Sequence, residues 1–101
     1  MDALIGCWQL ETADPALGMT EPAEVEFKPN GQLIYSIEAG DKWQIMRLTF
    51  RVDGAELVTN QPSAPNEERT GFSLEGENKL VLDYGGAKAS FIRGAKRAPA
   101  V

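Results

Sequence analysis

Apolar and polar residues alternate along most of this chain with the two-residue period of β-strands. Within 46–52, for example, the even positions hold Met, Leu, Phe and Val, whereas the odd positions hold Arg, Thr and Arg. One buried and one solvated face per strand is typical of antiparallel sheets. The pattern predicts eight strands, at about 4–11, 23–28, 32–38, 43–52, 55–60, 68–75, 79–84 and 88–93. No stretch of helical length has a 3.6-residue period, although a short helical turn fits within 13–20.

The segments between these strands are of two kinds. Three of them, KPNGQ, VDGAE and EGENK, are short and hold Gly or Asn, which tolerate the positive φ of tight hairpins. In an up-and-down meander successive connections lie at alternate ends of the sheet, so these hairpins share one end. The long loops TADPALGMTEP and NQPSAPNEE share the other. The sequence therefore predicts an all-β, eight-stranded antiparallel up-and-down barrel with one closed and one open end. A sandwich of two four-stranded sheets is the alternative.

Composition excludes several functions. With 101 residues the chain fits a single domain, predicted over 1–93, followed by a flexible tail at 94–101. A net charge of −5 disfavours nucleic-acid partners and anionic membrane surfaces. The chain has no histidine and one cysteine, so it cannot form a Ser-His or Cys-His nucleophile pair, a His-ligated metal or haem site, or an internal disulfide. We therefore predict no catalytic residues, no metal ligands and no cofactor.

The segment LIGC at 4–7 has the form of a bacterial lipobox, in which Cys7 would be lipidated. A secretory segment needs a basic start and an apolar run of roughly 7–15 residues. Only six residues precede Cys7, and they include Asp2 and neither Lys nor Arg. The sequence therefore predicts a cytoplasmic protein, and a periplasmic lipoprotein only if a leader has been removed.

Two short motifs near the ends of the chain carry a family resemblance. Gly6-Cys7-Trp8 lies on the first predicted strand, and Phe91-Ile92-Arg93 ends the last. Together with the predicted topology they resemble a small, bacterial-type lipocalin-like (calycin) domain over about 4–93. The resemblance implies that Gly6, Trp8 and Arg93 are structural, with Trp8 inside the closed end beneath Arg93 and Cys7 facing away. The chain departs from that family in its short barrel and in lacking the helix after the last strand.

The open end is the predicted functional site. Leu17 and Met19 are apolar residues in a polar loop, where they would act either as a ligand lid or as a plug. The other candidates lie at strand ends predicted to face the same mouth: Ile37, Trp43, Arg69 and Tyr84. Apolar walls with a few polar groups are typical of small-molecule pockets. The sequence thus predicts non-catalytic binding of a small apolar or weakly acidic ligand.

Three other functions stay open at this stage. The first is a structural module with a side-chain-filled barrel that forms a homodimer through Trp43 and Met19. The second is catalysis by Glu67, Glu68, Arg69 and Tyr84 around the mouth, the weakest hypothesis because no spaced catalytic motif accompanies them. The third is a carboxylate site at Arg47 and Arg51, but their alternation with apolar residues favours a solvated arginine face.

Overall fold

Eight strands account for most of the chain in the computed structural model, which describes residues 2–19, 22–62 and 65–99. They are β1 (Gly6–Ala13), β2 (Ala23–Phe27), β3 (Gln32–Ala39), β4 (Lys42–Asp53), β5 (Glu56–Asn60), β6 (Glu68–Glu75), β7 (Lys79–Tyr84) and β8 (Ala87–Arg93). Short 3₁₀ turns lie at Asp2–Leu4 and Pro15–Leu17.

The strands form one closed barrel in sequence order, and every neighbouring pair is antiparallel. β8 pairs with β1 to complete the ring. The predicted barrel is therefore confirmed over the sandwich alternative. The tight β2–β3, β4–β5 and β6–β7 connections share the closed end with the start of β1 and the end of β8, as expected from the parity of an up-and-down meander.

The first strand begins two residues later than the pattern predicts. Gly6, with a φ of 127°, is the first residue of β1, and Leu4 lies in the preceding 3₁₀ turn. This turn places the Leu4 side chain inside the barrel floor, where it is 1% exposed. The apolar character of Leu4 thus reflects burial beneath the barrel rather than strand pairing.

The inner faces of the strands form the core, in phase with the alternation in the sequence. Its largest fully buried side chains include Trp8, Phe27 and Phe91. Phe27 meets Phe50 edge to face, with ring centroids 5.0 Å apart, a favourable aromatic geometry. On β4 the arginines lie on the opposite, outer face, where Arg51 pairs with Glu67 at 3.3 Å. The predicted solvated arginine face is present.

A network of hydrogen bonds around Arg93 and Trp8 seals the closed end. The guanidinium carbon of Arg93 lies 4.1 Å from the Trp8 ring centroid. The indole Nε1 of Trp8 donates to the carbonyl of Leu4 at 3.0 Å. Arg93 donates to three further backbone carbonyls, those of Ala3 at 2.6 Å, Ile5 at 2.8 Å and Glu77 at 3.1 Å. One side chain thereby joins the N-terminal turn, β8 and the β6–β7 hairpin.

The long β1–β2 connection contains the helical turn that the sequence allows within 13–20. Asp14 caps it by accepting a hydrogen bond from the backbone N–H of Ala16 at 2.9 Å, and Gly18 ends it in a left-handed conformation. Leu17 and Met19 pack against the core. No helical segment within the described ranges is long and apolar enough to cross a bilayer.

The C-terminal segment 94–99 differs from the expected flexible tail, because it packs on the outer face of the barrel. Glu24 on β2 is 1% exposed, and its carboxylate accepts hydrogen bonds from the backbone N–H of Arg97 at 2.7 Å and of Ala98 at 3.4 Å. Lys96 pairs with Glu26 at 2.8 Å. Ala98 itself is 7% exposed. The segment has few apolar side chains, so hydrogen bonds to the buried Glu24 carboxylate hold it on the barrel instead.

Candidate functional site

A cavity of ≈ 270 Å³ opens into the barrel at its open end. Its deeper walls are apolar and come from the inner faces of β2, β3, β4, β5 and β7: Val25, Phe27, Leu33, Leu48, Leu57 and Leu82, with Met46 on β4 nearer the mouth. Its polar lining comes from the inner faces of β3, β5, β6 and β7 and from the β5–β6 loop: Tyr35, Thr59, Gln61, Asn66, Glu68, Thr70 and Tyr84. The barrel interior is therefore partly hollow, with polarity increasing towards the mouth.

Small side chains on the neighbouring strands β5 and β6 explain why the barrel interior is not filled next to them. The inner face of β5 continues from Leu57 to Thr59, and that of β6 continues from Thr70 to Glu68. Both strands thus place a threonine where a large apolar side chain would fill the interior. On the opposite side, Leu17 and Met19 pack against the core, and the Pro15–Leu17 turn contacts β8. The cavity consequently lies on the side bounded by β2–β7.

The β5–β6 loop is anchored where it contributes to the mouth. The backbone N–H of Asn66 donates to Oδ1 of Asn60 at 2.9 Å, and its side-chain amide lies 3.5 Å from a Glu68 carboxylate oxygen. These contacts join the end of β5 to the start of β6. They hold the Asn66 carboxamide and the Glu68 carboxylate at the same rim.

Two large apolar side chains are exposed around this cavity. Met46 is 40% exposed and Tyr84 is 39% exposed, and both line the cavity. Within the described ranges these are the exposed large hydrophobic residues. Exposed apolar surface is costly unless a contact covers it, so it indicates a contact surface at the mouth.

Both tyrosines at the cavity have a raised pKa, so ionisation of their phenols is disfavoured. Although part of the Tyr84 side chain is exposed, desolvation of its phenol, together with the smaller effects of nearby Tyr35 and Glu68, raises the pKa of Tyr84 to about 12. Burial also raises the pKa of Tyr35 above its ordinary value. At neutral pH both side chains are therefore uncharged and can donate or accept one hydrogen bond.

The structure brings only part of the predicted site to the cavity. Tyr84 lines it. Leu17 and Met19 pack on the core beside it, in the position of a plug rather than of a cavity wall. Ile37 shares the inner face of β3 with Tyr35 but does not reach the lining.

Two predicted residues, Trp43 and Arg69, lie on the outer face instead. Trp43 is three positions from the cavity-lining Met46 and pairs with Glu38, so the alternation of β4 turns it outward. Arg69 lies between the inward residues Glu68 and Thr70, and its guanidinium binds Asp53 at 3.0 Å and Glu56 at 3.2 Å. The prediction that they face the mouth used only their positions at strand ends. It did not apply the strict alternation of side chains, which turns both residues outward.

The same alternation separates the acidic and basic residues proposed for catalysis. Glu68 and Tyr84 line the cavity, whereas Glu67 pairs with Arg51 and lies outside. Sequence analysis missed most polar lining residues, including Tyr35, Thr59, Gln61, Asn66 and Thr70. On β6 the apolar residues Leu74 and Phe72 point inward. Continuing this alternation along the strand predicts that Thr70 and Glu68 also point into the barrel, where they line the cavity. The described part of the chain holds no cluster of three or more Cys, Asp or Glu side chains that could bind a metal ion.

Comparison with known proteins finds no family model, no curated protein and no solved structure that matches this chain. The antiparallel eight-stranded barrel is compatible with a lipocalin-like fold. The cavity and the chemistry of its lining are therefore the basis for proposing a function.

Proposed function

We propose that this protein is a lipocalin-like, non-catalytic binding protein for a small, largely apolar molecule held at the open end of the barrel. The observation that carries the proposal is the cavity of ≈ 270 Å³ with apolar deep walls and a polar rim. Small-molecule pockets span about 300–1,000 Å³ and combine such walls with a few orienting polar groups. The volume lies just below that range, so it fits a ligand smaller than a typical drug-sized molecule.

The exposed Met46 and Tyr84 side chains support this placement of the ligand. Each loses solvent contact if a molecule occupies the mouth, and burial of apolar surface stabilises a complex by about 25 cal/mol per Å². A thioether also adapts to different ligand shapes because it has three rotatable bonds. The mouth therefore suits an apolar ligand better than a purely polar one.

The lipocalin-like part of the proposal is supported by the closed end. Gly6, Trp8 and Arg93 meet in the arrangement that the family resemblance implies, with the guanidinium over the indole. A barrel sealed at one end by this contact and hollow at the other matches a carrier or sensor of small molecules. The ligand would enter between the β3–β4 and β5–β6 connections.

The chemistry of the rim supports binding rather than catalysis. A general acid or base works best with a pKa near the working pH. The Tyr84 phenol, with a pKa raised to about 12, stays protonated at neutral pH. Tyr84 therefore suits hydrogen bonding to a ligand better than proton transfer.

A cavity-filling substitution tests the proposal. We expect phenethyl alcohol, a small neutral probe, to shift the methyl NMR signals of Leu48, Leu57 and Leu82 in the wild-type protein. Thr59→Trp should abolish these shifts, because Thr59 lines the cavity. Thr49→Trp is the matched control, since Thr49 is exposed on the outer face of β4. Unchanged wild-type signals at millimolar probe, or equal shifts in the Thr59→Trp variant, would overturn the proposal.

The alternative function, homodimerisation of a filled barrel through Trp43 and Met19, receives less support. It requires a filled interior, whereas the interior contains the cavity. Trp43 is half-buried on the outer face, and Met19 packs on the core. Native mass spectrometry distinguishes the two functions: a dimer that Trp43→Glu converts to a monomer would favour self-association.

A further inference from the structure

We propose that the ligand carries a cationic ammonium head group, which the Glu68 carboxylate and the rings of Tyr35 and Tyr84 hold at the mouth of the cavity. This inference rests on the proposed binding function and specifies its ligand class. It differs from the weakly acidic ligand expected from the sequence, because Arg69, the basic residue among the predicted mouth residues, lies on the outer face.

The charged groups near the mouth favour a cation over an anion. Glu68 contributes a carboxylate to the lining, and none of the described lining residues is Lys or Arg. Arg69, the adjacent cation in the sequence, is turned outward and binds Asp53 and Glu56. A ligand carboxylate would therefore meet a negative charge without a compensating guanidinium, whereas an ammonium group would meet a partner.

The aromatic and amide groups of the rim complement an ammonium ion. Tyr35 and Tyr84 line the cavity, and the faces of aromatic rings attract cations. An ammonium group has three N–H donors, for which the side-chain oxygens of Gln61, Asn66 and Thr70 supply acceptors in the same lining.

The carboxylate of Glu68 is close enough to act on the neighbouring phenol. Burial, which disfavours charge of either sign, is the largest cause of the raised pKa of Tyr84, and Glu68 adds a smaller contribution that opposes negative charge only. The net charge of −5 on the whole chain adds a long-range attraction for cations. The local charge of Glu68 and the net charge of the whole chain thus both favour a positively charged ligand.

Three probes with one aromatic body and different head groups test the inference: phenethylamine, phenethyl alcohol and phenylacetate. Calorimetric or NMR titration at pH 7 should give the highest affinity for the amine. We expect a preference of roughly fivefold over the alcohol, since Glu68 is exposed at the rim and exposed ion pairs are weak. Phenylacetate should bind more weakly than the alcohol. The preference for the amine should shrink at high salt.

The decisive variant is Glu68→Gln, with Glu67→Gln as its matched control. Both remove one negative charge from adjacent positions, but only Glu68 lines the cavity. Glu68→Gln should remove the preference of the amine over the alcohol, whatever its effect on the affinity for the alcohol itself, whereas Glu67→Gln should retain the preference.

The outcomes separate this inference from the function on which it rests. If the alcohol binds in the cavity but the amine binds no better, or phenylacetate binds best, the ammonium inference is overturned and the binding function stands. An amine preference that persists in Glu68→Gln also overturns the assignment to Glu68. If none of the three probes binds, both proposals fail together.

Discussion

Arg93 covers the indole of Trp8 at 4.1 Å and also donates hydrogen bonds to the backbone carbonyls of Ala3, Ile5 and Glu77. The two residues are partners in the β1–β8 register that closes the barrel. Trp8 is fully buried and contributes apolar area, while Arg93 joins segments that are distant in the sequence. The pair therefore couples closure of the barrel to the order of its floor.

Arg93→Ala should destabilise the protein by about 2–4 kcal/mol, because charge-assisted hydrogen bonds and a cation–π contact are lost together. Arg93→Lys should recover only part of this loss, since an ammonium group cannot reach three carbonyls with the fixed geometry of a guanidinium. Urea unfolding followed by tryptophan fluorescence measures both. A lysine variant as stable as the wild type would show that charge alone suffices.

Gly6 should tolerate no side chain. Its φ is 127°, and a Cβ built there would lie 2.7 Å from Nη1 of Arg93. Gly6→Ala should therefore cost about 1–3 kcal/mol through backbone strain, with displacement of Arg93 in addition. Gly71→Ala is the control, because its Cβ would meet Asp83 at an ordinary 3.5 Å. Equal unfolding free energies for the two variants would contradict this account of Gly6.

The docked C-terminal segment predicts unequal roles for two neighbouring carboxylates. Glu24 is 1% exposed and accepts backbone hydrogen bonds from residues 97 and 98, whereas Glu26 is more exposed and pairs mainly with Lys96. Glu24→Ala should cost about 2–4 kcal/mol and Glu26→Ala below about 1 kcal/mol. Amide hydrogen exchange at Arg97 and Ala98 should accelerate in the Glu24 variant alone. Slow exchange in that variant would mean that other contacts hold the segment.

The architecture could be predicted from sequence because two independent patterns agree on it. The alternation on 46–52 defines an inner and an outer face, and the Gly- and Asn-containing hairpins define the ends of the barrel. The C-terminal segment could not be predicted in the same way. Its docking uses backbone N–H groups at Arg97 and Ala98, which every non-proline residue has, and ion pairs from Lys96 and Arg97, whose charged side chains are equally typical of a solvated tail.

The candidate site could be predicted only in part, for a geometric reason. Tyr84 lines the cavity from the end of β7, and the phase of β6 suffices to separate Glu68 from Arg69. The position of the cavity could not be derived, since it depends on which side of the barrel Leu17 and Met19 occupy. That packing is a long-range contact of a loop, and strand periodicity does not encode it.

The two tyrosines should make stability fall at alkaline pH. The pKa of Tyr84 in the folded protein is raised to about 12, mainly by burial, from an ordinary value of 10.0. A raised acid pKa means that the folded state favours the neutral phenol. The stabilisation is therefore fully present below pH 10 and is lost as the pH rises through about 12. Tyr84→Phe should lose less stability than the wild type over that interval.

Ultraviolet difference absorbance can assign the titration to each phenol, because the chain contains two tyrosines. Tyr35→Phe leaves Tyr84 as the single phenol and removes one of the causes that raise its pKa. Because burial and Glu68 remain, its absorbance should still change at a pH above the ordinary value of 10.0. Tyr84→Phe leaves Tyr35, whose pKa is raised by burial alone, so it should also titrate above its ordinary range. A phenol in Tyr35→Phe that titrates at pH 10 would show that the cavity mouth is open to water around Tyr84. It would also remove the electrostatic support for an ammonium ligand, while leaving the carboxylate of Glu68 at the rim.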